Sequence, residues 1–177
     1  MEEYAILKAE IRDVPRILEL TRAHTITRDS PVPGFLEFPI PDNAAYRARL
    51  ESSNFCYVAT AKKPIGFFLA YPRISLEQGF VSGPIANRLL QLDENFIYLE
   101  QIIVENTHRR RGIARALFDR CLRDAEEARH PLAYGATSHQ PVRNVPLINL
   151  HHEFGFRLKE EIAFDGLSFG LYSKHLP

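Results

Sequence analysis

Three consecutive arginines, Arg109, Arg110 and Arg111, stand directly before Gly112, Ile113 and Ala114, where the sequence reads as the start of a helix. The first N–H groups of a helix are unpaired and carry partial positive charge, so cations there are unfavourable by roughly 0.3–1 kcal/mol each. A cluster of cations in that place implies a missing anion, and a phosphate would resolve the conflict. Gly112 lets the backbone approach such an anion closely, and Ala114 keeps the next turn small. Taken alone, the loop reads equally well as a solvated basic turn. Glu100 is a carboxylate inside the apolar run 96–104. It is read either as a general base with a pKa raised by its surroundings or as a side chain on a partly wet face. Strand alternation puts it on one face with Tyr98 and Ile102.

Other chemistries fit less well. The chain has no Gly-x-x-x-x-Gly-Lys-Ser/Thr and no Gly-x-Gly-x-x-Gly, so nucleotide hydrolysis and dinucleotide binding are not indicated. The arginines lack a wider basic face or a recognisable nucleic-acid module, and no nucleic-acid partner is expected. His151-His152-Glu153 is not a metal motif, because adjacent helical residues point to different sides; no metal is expected. Cys56 and Cys121 have no metal-ligand spacing, and Cys121 belongs to a helix stripe where a thiol would be buried and inert.

The elements that must position these residues follow from periodicity and punctuation. Residues 4–9 read as a strand, and Asp13-Val14-Pro15 as a cap and first turn of a helix with Val14, Ile17, Leu18 and Leu20 inward. A helix at 44–52 leads to an antiparallel hairpin, 55–60 and 65–71, turning at Lys62-Lys63-Pro64. The run 96–104 reads as a central strand. Beyond the basic turn, Ala114, Phe118, Cys121, Ala125 and Ala128 make one apolar helical stripe. A strand at 132–137 follows, then a helix opened by Asn144-Val145-Pro146 and ended by Gly155. Strands 156–164 and 167–173 close the chain around the tight-turn pair Asp165-Gly166. Two long segments stand apart: 25–43, with five of its residues Pro or Gly, and 72–95, with one helical turn at 85–92 and the look of a lid or partner surface.

The 177 residues suit one domain spanning 1–177, with 45% apolar and 25% charged residues. Lys plus Arg equals Asp plus Glu at 22 each, so no global field draws the chain to nucleic acid or an anionic membrane. The first residues carry no basic and apolar leader, and no run of eighteen apolar residues occurs. A cytoplasmic protein with reduced thiols is expected.

The pattern Arg-x-x-Gly-x-Ala at Arg109 to Ala114, directly after the strand ending Ile102-Ile103-Val104, resembles the signature of the GNAT (Gcn5-related) N-acetyltransferases. Residues 9–20 look like that family's first strand-to-helix passage. Asn144, followed eleven residues later by Gly155-Phe156, is similar in spacing to its second motif region. The resemblance leaves 25–43 and 72–95 outside it. It implies an α/β (α+β) fold: a mixed, mostly antiparallel sheet of about seven strands, splayed at its centre and flanked by about four helices.

That resemblance also implies acetyl-CoA as cosubstrate and direct transfer of the acetyl group to a primary amine of a small molecule or peptide. Ile102, Ile103 and Val104 would offer backbone N–H groups to the pantetheine and thioester. Arg109, Arg110, Arg111, Gly112, Ile113 and Ala114 would hold the pyrophosphate, and Asn144, otherwise a plain helix cap, would contact the pantetheine arm. Glu100 would be the base for the ammonium, with Tyr98 in reserve, although a buried core tyrosine also explains Tyr98. His151 falls where many family members carry a tyrosine that protonates the leaving thiolate, and a protonated imidazole could do the same. A plain surface histidine is the competing reading. Two alternatives use the same features: a catalytically weak CoA-binding or regulatory module, and an O-acetyltransferase acting on a small metabolite or drug. The acceptor is expected under the two long segments, near Phe35, Phe38 and Phe80 and the acids Glu37, Asp42, Glu77 and Asp93. A homodimer is the expected assembly.

Overall fold

The computed structural model describes residues 3–26, 40–92 and 94–177. Phe35, Glu37, Phe38 and Asp93, expected near the acceptor, lie outside the described residues, as does most of the segment 25–43. Among the described residues there are seven strands: β1 (Ala5–Lys8), β2 (Phe55–Thr60), β3 (Pro64–Pro72), β4 (Ile97–Val104), β5 (Leu132–Gln140), β6 (Arg157–Phe164) and β7 (Leu167–His175). The helices are α1 (Val14–His24), α2 (Asn43–Glu51), α3 (Arg73–Glu77), α4 (Pro84–Leu90), α5 (Ile113–Glu127) and α6 (Val145–Glu153). One sheet runs in the order β1-β2-β3-β4-β5-β7-β6, antiparallel at every step except β4 to β5.

The sheet matches the expected architecture, while the described helices number six rather than about four. The surplus comes from segment 72–95. It folds as α3 and α4, and Leu76, Val81, Ala86 and Leu89 are buried against the sheet. Four apolar anchors of this kind hold it as part of the fold rather than as a loose lid, at roughly 1.5–3 kcal/mol for each large side chain buried.

Two apolar layers enclose the sheet. On one face Val14, Ile17 and Leu20 of α1 and Tyr46 and Leu50 of α2 pack on Cys56, Phe67, Tyr71 and Tyr98. On the other, Leu117, Phe118, Cys121 and Leu122 of α5 and Ile148 of α6 pack on Tyr57, Phe68, Leu99 and Tyr172. Asp13 is the N-cap residue of α1 but makes no side-chain capping bond to it. Its carboxylate accepts from the backbone N–H of Glu10 at 2.9 Å and closes the short 3-10 turn Ile11–Asp13, while Pro15 sits in the first turn of α1. Asp165 and Gly166 are both left-handed, with φ of 49° and 73°, which gives the tight β6–β7 turn read from the sequence. No helix among the described residues is long and apolar enough to cross a membrane.

The feature that positions the site is where β4 and β5 part. They pair only from Ile97 to Leu99 against Ala133 to Gly135; β4 then continues along β3, and β5 along β7. The divergence begins at a bulge. Leu69 opposes Gln101 and Ala70 opposes Leu99, so Glu100 has no partner residue on β3. An extra residue bends a strand and increases its twist, which turns the C-terminal half of β4 away from β5.

Candidate active site

The gap between the parting strands opens into a cleft of about 1520 Å³. That is larger than the ~300–1,000 Å³ usual for one small ligand, and it leaves space for two reactants. Ile102, Ile103 and Val104 line it from β4, and Ala136, Thr137 and Ser138 from β5. Because the two strands no longer pair there, half of the backbone polar groups along these stretches turn toward the cleft instead of toward a neighbouring strand.

At one end the cleft meets the start of α5. Arg109, Arg110, Gly112, Ile113 and Ala114 line it, and Arg111 does not. Arg109 folds back so that its Nε donates to the carbonyl of Val104 at 3.2 Å, tying the loop to the end of β4. Arg110 has φ of 60° and Gly112 φ of 78°, so the chain makes two left-handed steps in entering the helix. Gly112 is the N-cap and supplies no side-chain bond; the first helical bond runs from the N–H of Ala116 to its carbonyl. The N–H groups of the first turn therefore stay outside the helical ladder at the cleft end, where an anion is favoured. A β-carbon on Gly112 would meet nothing nearer than the Tyr4 hydroxyl at 4.0 Å, so glycine serves the backbone conformation there and not a tight packing contact. Asn144 lines the cleft opposite and also caps α6, its Oδ1 accepting from the N–H of Leu147 at 3.3 Å. These residues fit a pyrophosphate and its polar arm: a basic loop, free helix-end donors and an amide.

At the other end Glu100 lines the cleft with Tyr98. The bulge corrects the face read from alternation. Glu100 and Gln101 both lie on the α1–α2 side with Tyr98, whereas Ile102 packs against the α5 layer. Glu100 is not simply solvated. Its Oε2 is 3.3 Å from Nη1 of Arg49 on α2, and the two side chains are only 9% and 7% exposed. Below them the side chain of Gln101 is fixed in a buried ring of hydrogen bonds: Tyr46 hydroxyl to Gln101 Oε1 at 3.1 Å, Gln101 Nε2 to Thr21 Oγ1 at 3.2 Å, and Thr21 Oγ1 to the Tyr46 hydroxyl at 2.9 Å. The bulge is thus anchored by polar contacts on the residue beside Glu100. Tyr98 is buried, as the core reading has it, and borders the cleft as well.

His151 sits elsewhere. The residue is 2% exposed and is not among those lining the cleft. Its ring stacks on Tyr172 and meets Phe118 and Phe156 edge-on, and its Nδ1 donates to the carbonyl of Leu147 at 2.9 Å. Burial in this apolar layer holds its pKa down to about 4, against an upward pull from the Leu147 carbonyl. A general acid must be protonated and must reach the leaving group, and this imidazole is neutral near pH 7 and sealed in the core. The role expected of His151 does not fit. The adjacency to α6 was legible, but a four-residue offset from Gly155 cannot tell an inward ring from an outward one.

Arg49 is the site residue that sequence reading missed. The signal was the stripe Tyr46, Arg49, Leu50, whose i, i+3, i+4 spacing puts the guanidinium on the buried face of α2. Cys56 and Cys121 are buried, and burial pushes the Cys56 thiol up to about 12 and that of Cys121 up as well, so neither is a nucleophile near neutral pH. Among the described residues no group of three or more His, Cys, Asp or Glu is arranged to hold a metal.

Comparison with known proteins gives the same architecture. Residues 20–156 match the family model described as acetyltransferase (GNAT) family. An N-acetyltransferase from Staphylococcus aureus Mu50 superposes with a TM-score of 0.70 at 18% identity, covering 99% of this chain and 99% of that one. A Drosophila melanogaster polyamine N-acetyltransferase that forms N-acetylagmatine gives 0.69 at 14% identity, covering 98% and 100%. Arabidopsis thaliana Naa50, in complex with the bisubstrate analogue CoA-Ac-MVNAL, gives 0.66 at 13% identity, covering 98% and 99%. No curated protein sequence matches.

Proposed function

The chain belongs to the acetyltransferase (GNAT) family, and from that premise we propose that it moves an acetyl group directly from acetyl-CoA to the primary amine of a small molecule or peptide. The observation that carries this reading is the continuity of one cleft from the N-terminus of α5, through the gap between β4 and β5, to Glu100. Acetyl-CoA supplies the acetyl group in activated thioester form. The basic loop and the first turn of α5 hold its phosphates, Asn144 meets its arm, and backbone donors of Ile102 to Val104 face the thioester oxygen, where charge grows as the carbonyl is attacked.

Glu100 takes one proton from the acceptor ammonium, directly or through water. The neutral nitrogen then bonds to the acetyl carbon as the carbon–sulfur bond breaks, and the nitrogen's second proton ends on the departing sulfur. His151 plays no part in that last step. With His151 buried away from the cleft, the thiolate takes that proton from the acceptor nitrogen. We place the reaction in the cytoplasm, where two free thiols such as Cys56 and Cys121 persist reduced.

The test is twofold. Titration calorimetry with coenzyme A is expected to give saturable binding, and a thiol-release assay over amines, amino acids, polyamines, aminoglycosides and peptide N-termini is expected to find at least one acceptor. Absence of coenzyme A binding would overturn the reading.

A further inference from the structure

On the α1–α2 side of the sheet the lining of the cleft changes character. The link between α3 and α4 and the first residues of α4 supply Phe80, Pro84 and Ile85, and the β6–β7 hairpin supplies Phe164, Leu167 and Phe169. Strand alternation fixes the side. Phe169 shares a face of β7 with Leu171, and its cross-strand partner Ile162 shares a face of β6 with Phe164; Leu171 and Ile162 both belong to the α1–α2 layer. These rings therefore stand on the same side of the sheet as Glu100. From this geometry we infer that the acceptor is a primary amine carrying an aromatic ring, with the ring against Phe164, Phe169 and Phe80 and the amine at Glu100. The inference rests on the acetyl transfer proposed above and narrows its acceptor.

The rings differ from those of the core in exposure and in geometry. Phe164 and Phe169 are only half-buried and Phe80 is 38% exposed, so apolar surface is left wet inside a cleft, the mark of a contact surface. Phe164 and Phe169 lie parallel, 5.4 Å between centroids and 3° between planes, whereas Phe118 in the core meets His151 and Phe156 edge-on. A stacked pair presents a flat face on which a further ring can stack. The wall is also built before any ligand arrives, which lowers the cost of ordering it. Arg88 of α4 reaches Glu160 of β6, Nε to Oε1 at 3.1 Å, and so joins its two halves, while Leu76, Val81, Ala86 and Leu89 hold the α3–α4 segment on the sheet. Gly83, with φ of 130°, gives the turn that leads from Phe80 into α4. A polyamine would lay a second ammonium along this apolar wall, where it loses hydration. Asp165 borders the cleft at the exposed tip of the hairpin, which makes a polyamine the competing acceptor to include in the test.

The experiment measures thiol release from acetyl-CoA with phenylalkylamines of graded spacer length, their cyclohexylalkyl and plain alkyl counterparts, and spermidine. Peptides beginning with Phe or with Gly form a second series, which tells whether the ring arrives on a free amine or on a chain. In at least one series, kcat/KM for the best ring-bearing acceptor is expected to exceed that of its ringless counterpart by about tenfold, the scale of a stacked aromatic contact, chiefly through KM. Phe80 is exposed, so its variants are expected to fold, and coenzyme A affinity checks that they do. Phe80→Leu and Phe169→Leu keep apolar bulk but remove a ring, and each is expected to lower the ratio through a rise in KM for the aromatic acceptor; Phe80→Tyr keeps the ring and is expected to keep the ratio. Equal use of ring-bearing and ringless acceptors in both series by the unaltered protein would overturn the inference, and needs no variant. Preference for spermidine, or a ratio that survives both leucine variants, would overturn it too. If no amine supports turnover while coenzyme A still binds, the proposed reaction itself fails. Ring preference is then read from calorimetry of the same amines on the coenzyme A complex, where equal affinity, or binding of none of them, overturns the inference.

Discussion

The imidazole of His151 lies against the α-carbon of Gly135, so close that a β-carbon there would come within 2.3 Å of Nε2. Gly135 is also the last residue of β5 that lies opposite β4 before the two strands part. The ring cannot retreat, because Tyr172 stacks on it and Phe118 and Phe156 meet it edge-on. Gly135→Ala is therefore expected to destabilise the fold by about 1–3 kcal/mol through overpacking. Urea denaturation checks this, with a lower midpoint and an unchanged m-value expected. Because the displaced strand borders the cleft, coenzyme A affinity is expected to fall as well.

Burial of His151 makes stability depend on pH in a defined window. The unfolded imidazole titrates near 6.5 and the folded one near 4, so between those values the unfolded chain holds the extra proton. Stability is full above about pH 6.5 and falls as the pH drops toward 4, by an amount on the order of 3 kcal/mol. Asp124 acts lower on the scale. Burial pushes its pKa up, but hydrogen bonds from Lys8, Arg120 and Tyr57 outweigh that and hold it to about 2, so its contribution is lost only below about pH 4. Denaturation midpoints measured from pH 4 to 7 are expected to slope upward in the unaltered protein. In His151→Leu the slope over that window flattens, whatever the absolute stability of the variant.

Glu100→Gln keeps the shape of the side chain and its place in the bulge but removes proton acceptance. A fall in kcat of about 10²–10⁴-fold is expected, the range for loss of a positioned general base. The KM for acetyl-CoA should stay near its original value, because the phosphate loop lies at the other end of the cleft. Steady-state thiol release against pH is the measurement. Retention of the original rate and pH profile would remove Glu100 from the mechanism and leave Tyr98 as the next residue to test.

The contrast between Glu100 and His151 shows what the sequence could and could not convey. Seven strands, the tight turn at Asp165-Gly166 and the helix opened by the arginine loop all come from local rules: alternation, left-handed turn residues and caps. Glu100 stood out because a carboxylate in an apolar strand is conspicuous. Its bulge was invisible, since an extra residue in one strand is defined only by the register of its neighbour; that is why Ile102 was assigned to the wrong face. Arg49 and Glu100 are 51 residues apart, and no local pattern pairs them. The segment 72–95 reads as a lid or partner surface with one helical turn because its apolar anchors are spread over two short helices, whose burial only the assembled sheet supplies. His151 failed for a related reason. Its tertiary neighbours Gly135 and Tyr172 decide that the ring is core, and both come from other strands.

The loop that first suggested an anion offers the most direct test of what binds there. Arg110 lines the cleft from a left-handed position, whereas Arg109 already spends its Nε on the carbonyl of Val104. Removing a charged hydrogen-bond donor from a phosphate costs about 1.5–3 kcal/mol. Arg110→Asn, a residue that tolerates the left-handed conformation, is thus expected to weaken coenzyme A binding by roughly ten- to a hundredfold while leaving the fold intact. Arg109→Ala should weaken binding too, and it should also lower thermal stability because the tie to β4 is lost. Arg111→Ala serves as the contrast, since Arg111 does not line the cleft, and its effect on affinity should be the smallest of the three. Calorimetric titrations of the three variants at two salt concentrations separate these cases: loss of a phosphate contact lowers the salt dependence along with the affinity, and loss of loop anchoring lowers affinity alone.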